Sequence, residues 1–408
     1  MHLRDDNGNL ILCNLDRIKN YLMKKLFLSA DAVSMASIAL NAQNITFGPL
    51  VHQATDNSFY VIWDTDVESI GWVETAPDDD VHFYGEARPK VFDSKLGRKT
   101  IGTHHVVKMT GLTPGTVYRY RVVNTEVKEN NPNSTIVYGK SFGTSVYGRQ
   151  PFRVKTFNPD AESTWFAVGN DFHDEDGEVR ALFGDAKEQG YDFVCFNGDM
   201  TSSANNMERI FDNYLKTSCE TFASEIPLVF ARGNHETRGN MAVDLFKYYP
   251  TDTGLPYYTF KSGPVFFIVL DGGEDKPDSD IEYYGQADFA SYVAQEAAWL
   301  AEVVESEEFK AADQKIVFCH IPPVVNGWEG ESRLYSQIVP LLNKGGFDLM
   351  ICGHDHSFYF HKKGAIKGIE FPILVNAQCA RVQVKADKKN ISINILKDGT
   401  EKKLQVKK

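Results

Sequence analysis

Between residues 164 and 352, strand-like apolar runs alternate with helical ones, and five of the runs stop at a short polar cluster. This alternation constrains the fold more than any other feature of the chain. The strand-like runs are 164–168, 191–196, 227–231, 265–270, 315–319 and 348–352. Helical patterns fill 178–188, 207–222, 291–304 and 333–342. Strand and helix in turn is the α/β pattern. In such sheets the carboxyl ends of neighbouring strands converge in space, however far apart they lie in sequence.

The clusters carry chemistry. The first run leads into Asp171-Phe172-His173, the second into Gly198-Asp199, and the third into Gly233-Asn234-His235-Glu236. The run at 315–319 ends at His320, and the last ends in Gly353-His354-Asp355-His356. Carboxylate, amide and imidazole together make a mixed nitrogen and oxygen donor set suited to Fe, Mn or Zn. The glycines let the backbone turn sharply and approach bound ions closely. A lone Asp-x-His means little; the whole ordered set, each member behind an apolar run, does not arise by chance.

The remainder of the chain is of a different kind. From 43 to 148 the text is strand-like: Phe59, Val61 and Trp63 alternate with Tyr60 and Ile62, and Asp64 closes the run. Leu112-Thr113-Pro114-Gly115-Thr116 signals a turn before the alternating strand 117–122. Short strands with Gly and Pro between them indicate an all-β sandwich. Residues 149–162, with Pro151 and Pro159, read as a polar linker to a catalytic region at 163–408. Short strands return at 381–385, 391–396 and 403–406.

Composition narrows the partners. A formal net charge of −12 argues against nucleic acid or an anionic membrane, both of which select basic surface. The six cysteines are scattered without a CxxC pair, so buried free thiols are expected rather than disulfides. No run reaches the ~20 apolar residues of a membrane span. Met23-Lys24-Lys25, the small and apolar stretch 26–40 and Ala42 form an export-signal pattern. Translation is then expected to start at Met23, with the first 42 residues as signal region and an extracytoplasmic product. A short amphipathic N-terminal helix is the other reading.

The set D-x-H, GD, GNHE, H and GHDH resembles the calcineurin-like metallophosphoesterases. The segment LTPGTVYRYRV resembles the fibronectin type III-like domain in front of the catalytic domain of purple acid phosphatases. Roughly residues 44–396 are thus similar to the purple-acid-phosphatase-like branch. The resemblance implies a four-layer α/β/β/α sandwich behind a small all-β sandwich, and two divalent or trivalent ions. Asp171, His173 and His356 would bind one ion, Asn234, His320 and His354 the other, and Asp199 both. His235 would meet the phosphoryl oxygen or the leaving group, so Asp199 and His235 are the implied catalytic residues. The implied reaction is hydrolysis of a small phosphorylated substrate, foremost a phosphomonoester, by a hydroxide shared between the ions. A phosphodiesterase, a nucleotidase, or a secreted binding protein with a relic site are the alternatives, although a relic would tolerate loss of a ligand. Purple acid phosphatases carry tyrosine three residues after the bridging aspartate; here that position is Ser202, and no purple colour is expected.

Weaker candidates surround the set. Arg238 could clamp a phosphate oxygen with its fork. Trp328, in a loop with Asn326 and Glu329, could stack on an aromatic leaving group. The run Asp271-Gly272-Gly273-Glu274-Asp275 is expected to be a solvated stretch of charge. His104 and His105 receive no role. Oligomeric state is left open by the sequence.

Overall fold

Alternation along each strand decides which layer a residue joins. In Ser163–Gly169, Phe166 and Val168 face one way and Ala167 the other. The neighbouring parallel strand Phe193–Asn197 repeats the rule, with Phe193 and Cys195 on the first face and Val194 and Phe196 on the second. The computed structural model describes residues 44–407 except Val325. The expected export signal, with its start at Met23 and its cut near Ala42, lies outside the described residues.

Two sheets pack face to face. The second has the order Tyr258–Ser262, Val265–Val269, Gln314–Phe318, Leu349–Cys352, Ile373–Val375 and Tyr359–His361. Its middle pairs are parallel and its two outer pairs antiparallel. Phe166, Val168 and Phe193 of the first sheet meet Phe267, Ile316 and Phe318 of the second in one buried core. The rings of Phe267 and Phe318 stack with centroids 5.7 Å apart, and Phe166 meets Phe267 edge-on at 5.3 Å. Burying each phenyl ring contributes about 1.5–3 kcal/mol, and good ring pairs add roughly 0.5–1.5 kcal/mol.

The outer faces are covered by helices. Val179 and Phe183 of helix Asp176–Phe183, with Ile210, Tyr214 and Phe222, cover Val194, Phe196 and Phe230. Val293 and Leu300 of helix Phe289–Val303, with Leu334 and Leu342, cover Ile268, Val317 and Met350. The result is the expected α/β/β/α sandwich. Cys195, Cys219, Cys319, Cys352 and Cys379 are free thiols, and all but Cys379 are buried.

The front region is all-β. Its central strand does not stop at Asp64 but runs over nineteen residues, Phe59–Pro77. A register shift between Asp64 and Ser69 bends the strand instead of ending it, as a bulge does. The first half pairs with Ile45–His52 and Gly102–Met109, and the second half with Val117–Asn130. The halves then face each other: a Cβ on Gly71 would come within 2.7 Å of the Trp63 ring. Trp63 Nε1 donates to Asn124 Oδ1 at 2.9 Å across this interior.

The stretch read as a linker also contributes to the sheet. Phe152–Lys155 pairs antiparallel with Val117–Asn130, and Val154 and Phe157 are buried, because this segment alternates despite its prolines. Ile45–His52 lies parallel to Leu228–Ala231, which joins the front strands and the first core sheet into thirteen strands. His52 seals that seam, its Nδ1–H donating to Leu228 O at 2.7 Å.

Candidate metal centre

The polar clusters form loops that run alongside each other beyond their strands. Asp171 N–H donates to Gly198 O and His173 N–H to Asp199 O, both at 3.0 Å, so the first two loops continue the pairing of their strands. Gly198, at φ +85°, has no room for a side chain: a Cβ would lie 2.5 Å from the His320 ring. Asp171, His173, Asp199, His354 and His356 all adopt positive φ, between 47° and 75°. Such backbone is sparsely populated outside glycine and costs on the order of 1–3 kcal/mol per residue. The concentration of this strain on the implied ligands marks a site held in shape by its surroundings.

Ligating atoms gather in two triads, Asp171 with His173 and His356, and Asp199 with His320 and His354. Within each, the atoms lie inside 4.8 Å of one another. Asn234 Oδ1 sits 3.0 Å from His354 Nδ1, beside the second triad. His173, Asp199 and His235 form a further overlapping group. Each carboxylate is divided in its duties. Asp171 Oδ2 accepts from His354 N–H at 3.0 Å and from the Asn170 amide, while Oδ1 faces His356 Nε2 at 3.4 Å and His173 Nε2 at 3.8 Å. Asp199 Oδ1 accepts from His235 N–H at 2.9 Å, while Oδ2 lies 3.0 Å from His320 Nε2.

The imidazoles are aimed from behind. His320 Nδ1–H donates to Asn197 O and His235 Nδ1–H to Ser202 O, both at 2.8 Å, which leaves each Nε2 for the centre. His173 Nε2 and His356 Nε2 stand 3.0 Å apart.

These residues fit metal ions. Asp171 Oδ1 and His320 Nε2 are buried polar atoms that lie 3.9 Å apart, surrounded by other ligating atoms but in no well-directed hydrogen bond. Buried polar atoms are rarely left so, and an ion is one of the few things that satisfies both kinds. Electrostatics agrees. Burial opposes charge on His320, yet the carboxylates of Asp199 and Asp171 push its pKa up to about 10. The field at that point favours a cation. His354 goes the other way, down to about 4, through burial and the neighbouring His320. Asp199 is held well below the usual carboxylate range: burial opposes this, but His320 and His235 outweigh it.

Glu236 is fully buried and accepts from four backbone N–H groups, those of Gly233, Asp199, Met200 and Thr201, at 2.7–3.2 Å. It orients the Asp199 loop. Ser202, in place of tyrosine, directs its hydroxyl to His173 O at 3.3 Å. Trp328 is half exposed at the start of helix Glu329–Gln337. Arg238 lies beside His235, with Nε and Nη2 turned to Glu274.

One expectation is overturned. The run Asp271 to Asp275 is buried throughout, because two arginines of the neighbouring loop neutralise it. Its position after the strand Val265–Val269 was the signal, since the ligand clusters follow their strands in the same way. Glu331 went unread as well. Buried, it accepts from Asn326 N–H at 2.6 Å and reaches the neighbourhood of His354 and Asp355. Nothing local in the sequence separates it from Glu329.

Comparison with known proteins follows the same division. The model of the calcineurin-like phosphoesterases matches residues 164–358, and that of the purple acid phosphatase N-terminal domain matches residues 49–138. A purple acid phosphatase isolated from yellow lupin (Lupinus luteus) seeds has a similar fold. It gives a TM-score of 0.61 at 14% identity, covering 88% of this chain and 74% of that one. A protein of Thermus thermophilus (TM-score 0.34, 12% identity) and a phosphoesterase from E. coli (0.29, 11%) are each covered to 99% and span 60% of this chain. No curated protein matches in sequence. The chain belongs to the calcineurin-like metallophosphoesterases, in the purple-acid-phosphatase-like branch, a family of metal-dependent phosphoester hydrolases with a dinuclear metal centre.

Proposed function

We propose that this protein is a phosphomonoesterase whose two ions are held by Asp171, His173 and His356 on one side and Asn234, His320 and His354 on the other, with Asp199 common to both. The reading rests on one observation above all, the two triads of ligating atoms with Asp171 Oδ1 and His320 Nε2 buried and 3.9 Å apart between them. When bound, such a pair of cations polarises the phosphoryl group and lowers the pKa of water. Iron, manganese and zinc suit the donor set. With Ser202 in the tyrosine position, no intense tyrosinate-to-iron band follows.

The chain's own groups divide the remaining work. Asp199 presents Oδ2 while the His235 N–H restrains Oδ1. His235 keeps Nε2 3.9 Å from Asp199 Oδ2, on the more open side, where it can donate to a phosphoryl oxygen or a departing alkoxide. Among the described residues no helix is long and apolar enough to cross a membrane. Export is part of the proposal and rests on the pattern from Met23 to Ala42 alone.

The test is metal analysis of the purified chain loaded with Mn or Zn, coupled to hydrolysis of an aryl phosphate and a bis-aryl phosphate. Two ions per chain and faster monoester cleavage are expected. One ion at saturation sinks the dinuclear reading, and faster diester cleavage sinks the monoester one. Two ions without hydrolysis of either ester favours a binding protein.

A further inference from the structure

The four parallel strands of the second sheet turn apolar side chains toward the first sheet at every inward position but one. Val265, Phe267 and Val269 point inward from one strand, Leu349 and Ile351 from another, and Leu374 from a third. Ile316 and Phe318 of Gln314–Phe318 do the same, so alternation turns Gln314 inward as well. Gln314 pairs with Val265 at the foot of the sheet and is 1% exposed. Its Oε1 and Nε2 are both buried, and neither has a hydrogen-bond partner among the described residues. The backbone groups beside it are already paired: Gln314 N–H donates to Pro264 O at 3.1 Å, and Asp348 N–H to Lys315 O at 2.9 Å. A buried amide in this state has given up its hydration without replacement, which an apolar side chain of the same length would not do.

The amide borders a cleft. A cavity of about 480 Å³ opens where the space between the sheets ends, lined by Gln314 with Phe347, Phe360, Pro372, Ile391 and Val406. Ile391 and Val406 stand directly opposite each other on Asn390–Lys397 and Thr400–Lys407 of the first sheet, and Phe360 stands opposite Leu374 of the second. Inward positions of both sheets thus form the walls. Lys362, Lys363, Asp348 and Glu370 complete the lining, two charges of each sign, so no net charge is selected. Mostly apolar walls around a single convergent polar group are the make-up of a small-molecule site. The metal centre lies at the other end of the same strand. His320 is six residues beyond Gln314, roughly 20 Å away at about 3.3 Å per residue.

We propose that this cleft binds a small uncharged molecule with an apolar body and an amide edge, a carboxamide or a lactam. Its N–H donates to Gln314 Oε1 and its C=O accepts from Gln314 Nε2, the two bonds that the buried side chain lacks. Its body covers the apolar walls. The site stands apart from phosphoester hydrolysis and does not depend on it.

The test uses the full zinc-loaded chain and three probes. Benzamide has both ring and amide, toluene the ring alone, and acetamide the amide alone. Benzamide is expected to bind with Kd on the order of 1 mM, about ten-fold or more tighter than either control. A control that binds as well as benzamide overturns the inference. Gln314→Met keeps the length of the side chain and removes both polar atoms. It should weaken benzamide about ten-fold or more, and raise the Tm of the ligand-free chain by about 1–3 °C. A lowered Tm would mean that resident water already satisfies the amide, and an unchanged Kd that the probe sits elsewhere; either result overturns the inference. Should Gln314→Met not fold, Val406→Trp fills the cleft from the opposite wall and leaves Gln314 in place. Benzamide affinity should then fall by a similar factor, and an unchanged affinity overturns the inference in the same way.

Discussion

His52 and His105 of the front strands are as deeply buried as His320 at the metal centre, yet they are built for opposite ends. Each front histidine spends one ring nitrogen on a hydrogen bond and packs its ring on aromatic surface, and the spare Nδ1 of His105 lies 3.5 Å from a single carboxylate, Asp93 Oδ2. His52 donates to Leu228 O and packs edge-on against Tyr249 and Tyr258, while His105 meets the Ser69 hydroxyl and stacks on Trp63 at 5.1 Å. His104, half-buried, spends both nitrogens, on Asp64 and on Lys247 O. At the centre, the spare nitrogens of His320, His173 and His356 face carboxylate oxygens or one another. The front histidines sit on extended strands, whereas His173, His354 and His356 sit in left-handed backbone. Burial alone does not mark a candidate ligand; the convergence of several imidazoles and carboxylates does, and three of those imidazoles also sit on left-handed backbone.

The strongest way to break this contrast is at its most convergent atom. Asp199→Ala is expected to lose metal and activity together, since this carboxylate belongs to the second triad and also groups with His173 of the first, with metal content and turnover measured on the same sample. Retention of two ions would show that the carboxylate is not shared. The next effect is smaller because the ions remain. His235→Ala should keep both metals and lose about 10²–10⁴-fold in rate, the range for a missing general acid or charge stabiliser. The deficit should shrink on a nitrophenyl ester and stay large on an alkyl phosphate if His235 protonates the leaving group. Loss of an ion in this variant would move His235 into the ligand set, beside His173 and Asp199, with which it already clusters.

At the front seam the expected lever is acid rather than metal. Burial brings the His52 pKa down to about 4 from an ordinary 6.5, against the raising effect of its bond to Leu228 O. The unfolded chain therefore binds the proton more readily between those values. Stability from this group is complete above pH 6.5, declines as pH falls toward 4, and declines no further below it. The shift corresponds to about 3 kcal/mol. His52→Gln, which keeps a donor for Leu228 O and cannot titrate, should flatten that window in urea melts taken from pH 7 to pH 4. An unchanged slope would place the acid sensitivity elsewhere.

How much of this was legible depends on the distance over which each signal acts. Strand and helix alternation, and the polar cluster after each strand, are local, so the core layers and the residues gathered at the candidate centre were readable from Asp171 to His356. The bend at Asp64 was not, because only the partner strands decide whether an irregularity ends a strand or folds it. Glu274 and Asp275 read as solvated charge because their neutralising partner, Arg238, lies 36 and 37 residues away. A carboxylate's burial is a property of the pair, and a sequence shows its members singly.

The mildest test is also the one that most directly probes the criterion. His104 has a carboxylate partner at 2.7 Å, as a ligand would, but both of its ring nitrogens are spent and its backbone is ordinary strand. The pair with Asp64 is partly exposed, with the imidazole side chain 28% accessible, so solvent weakens it. Tyr248 shares the load, its hydroxyl donating to Asp64 Oδ2 at 2.7 Å. His104→Asn should therefore lower stability by no more than about 1 kcal/mol and leave metal content and turnover within error. A loss of bound metal in this variant would mean that a histidine and carboxylate in close contact suffice to mark a ligand here, and the distinction drawn from the convergence of several imidazoles and carboxylates would fail.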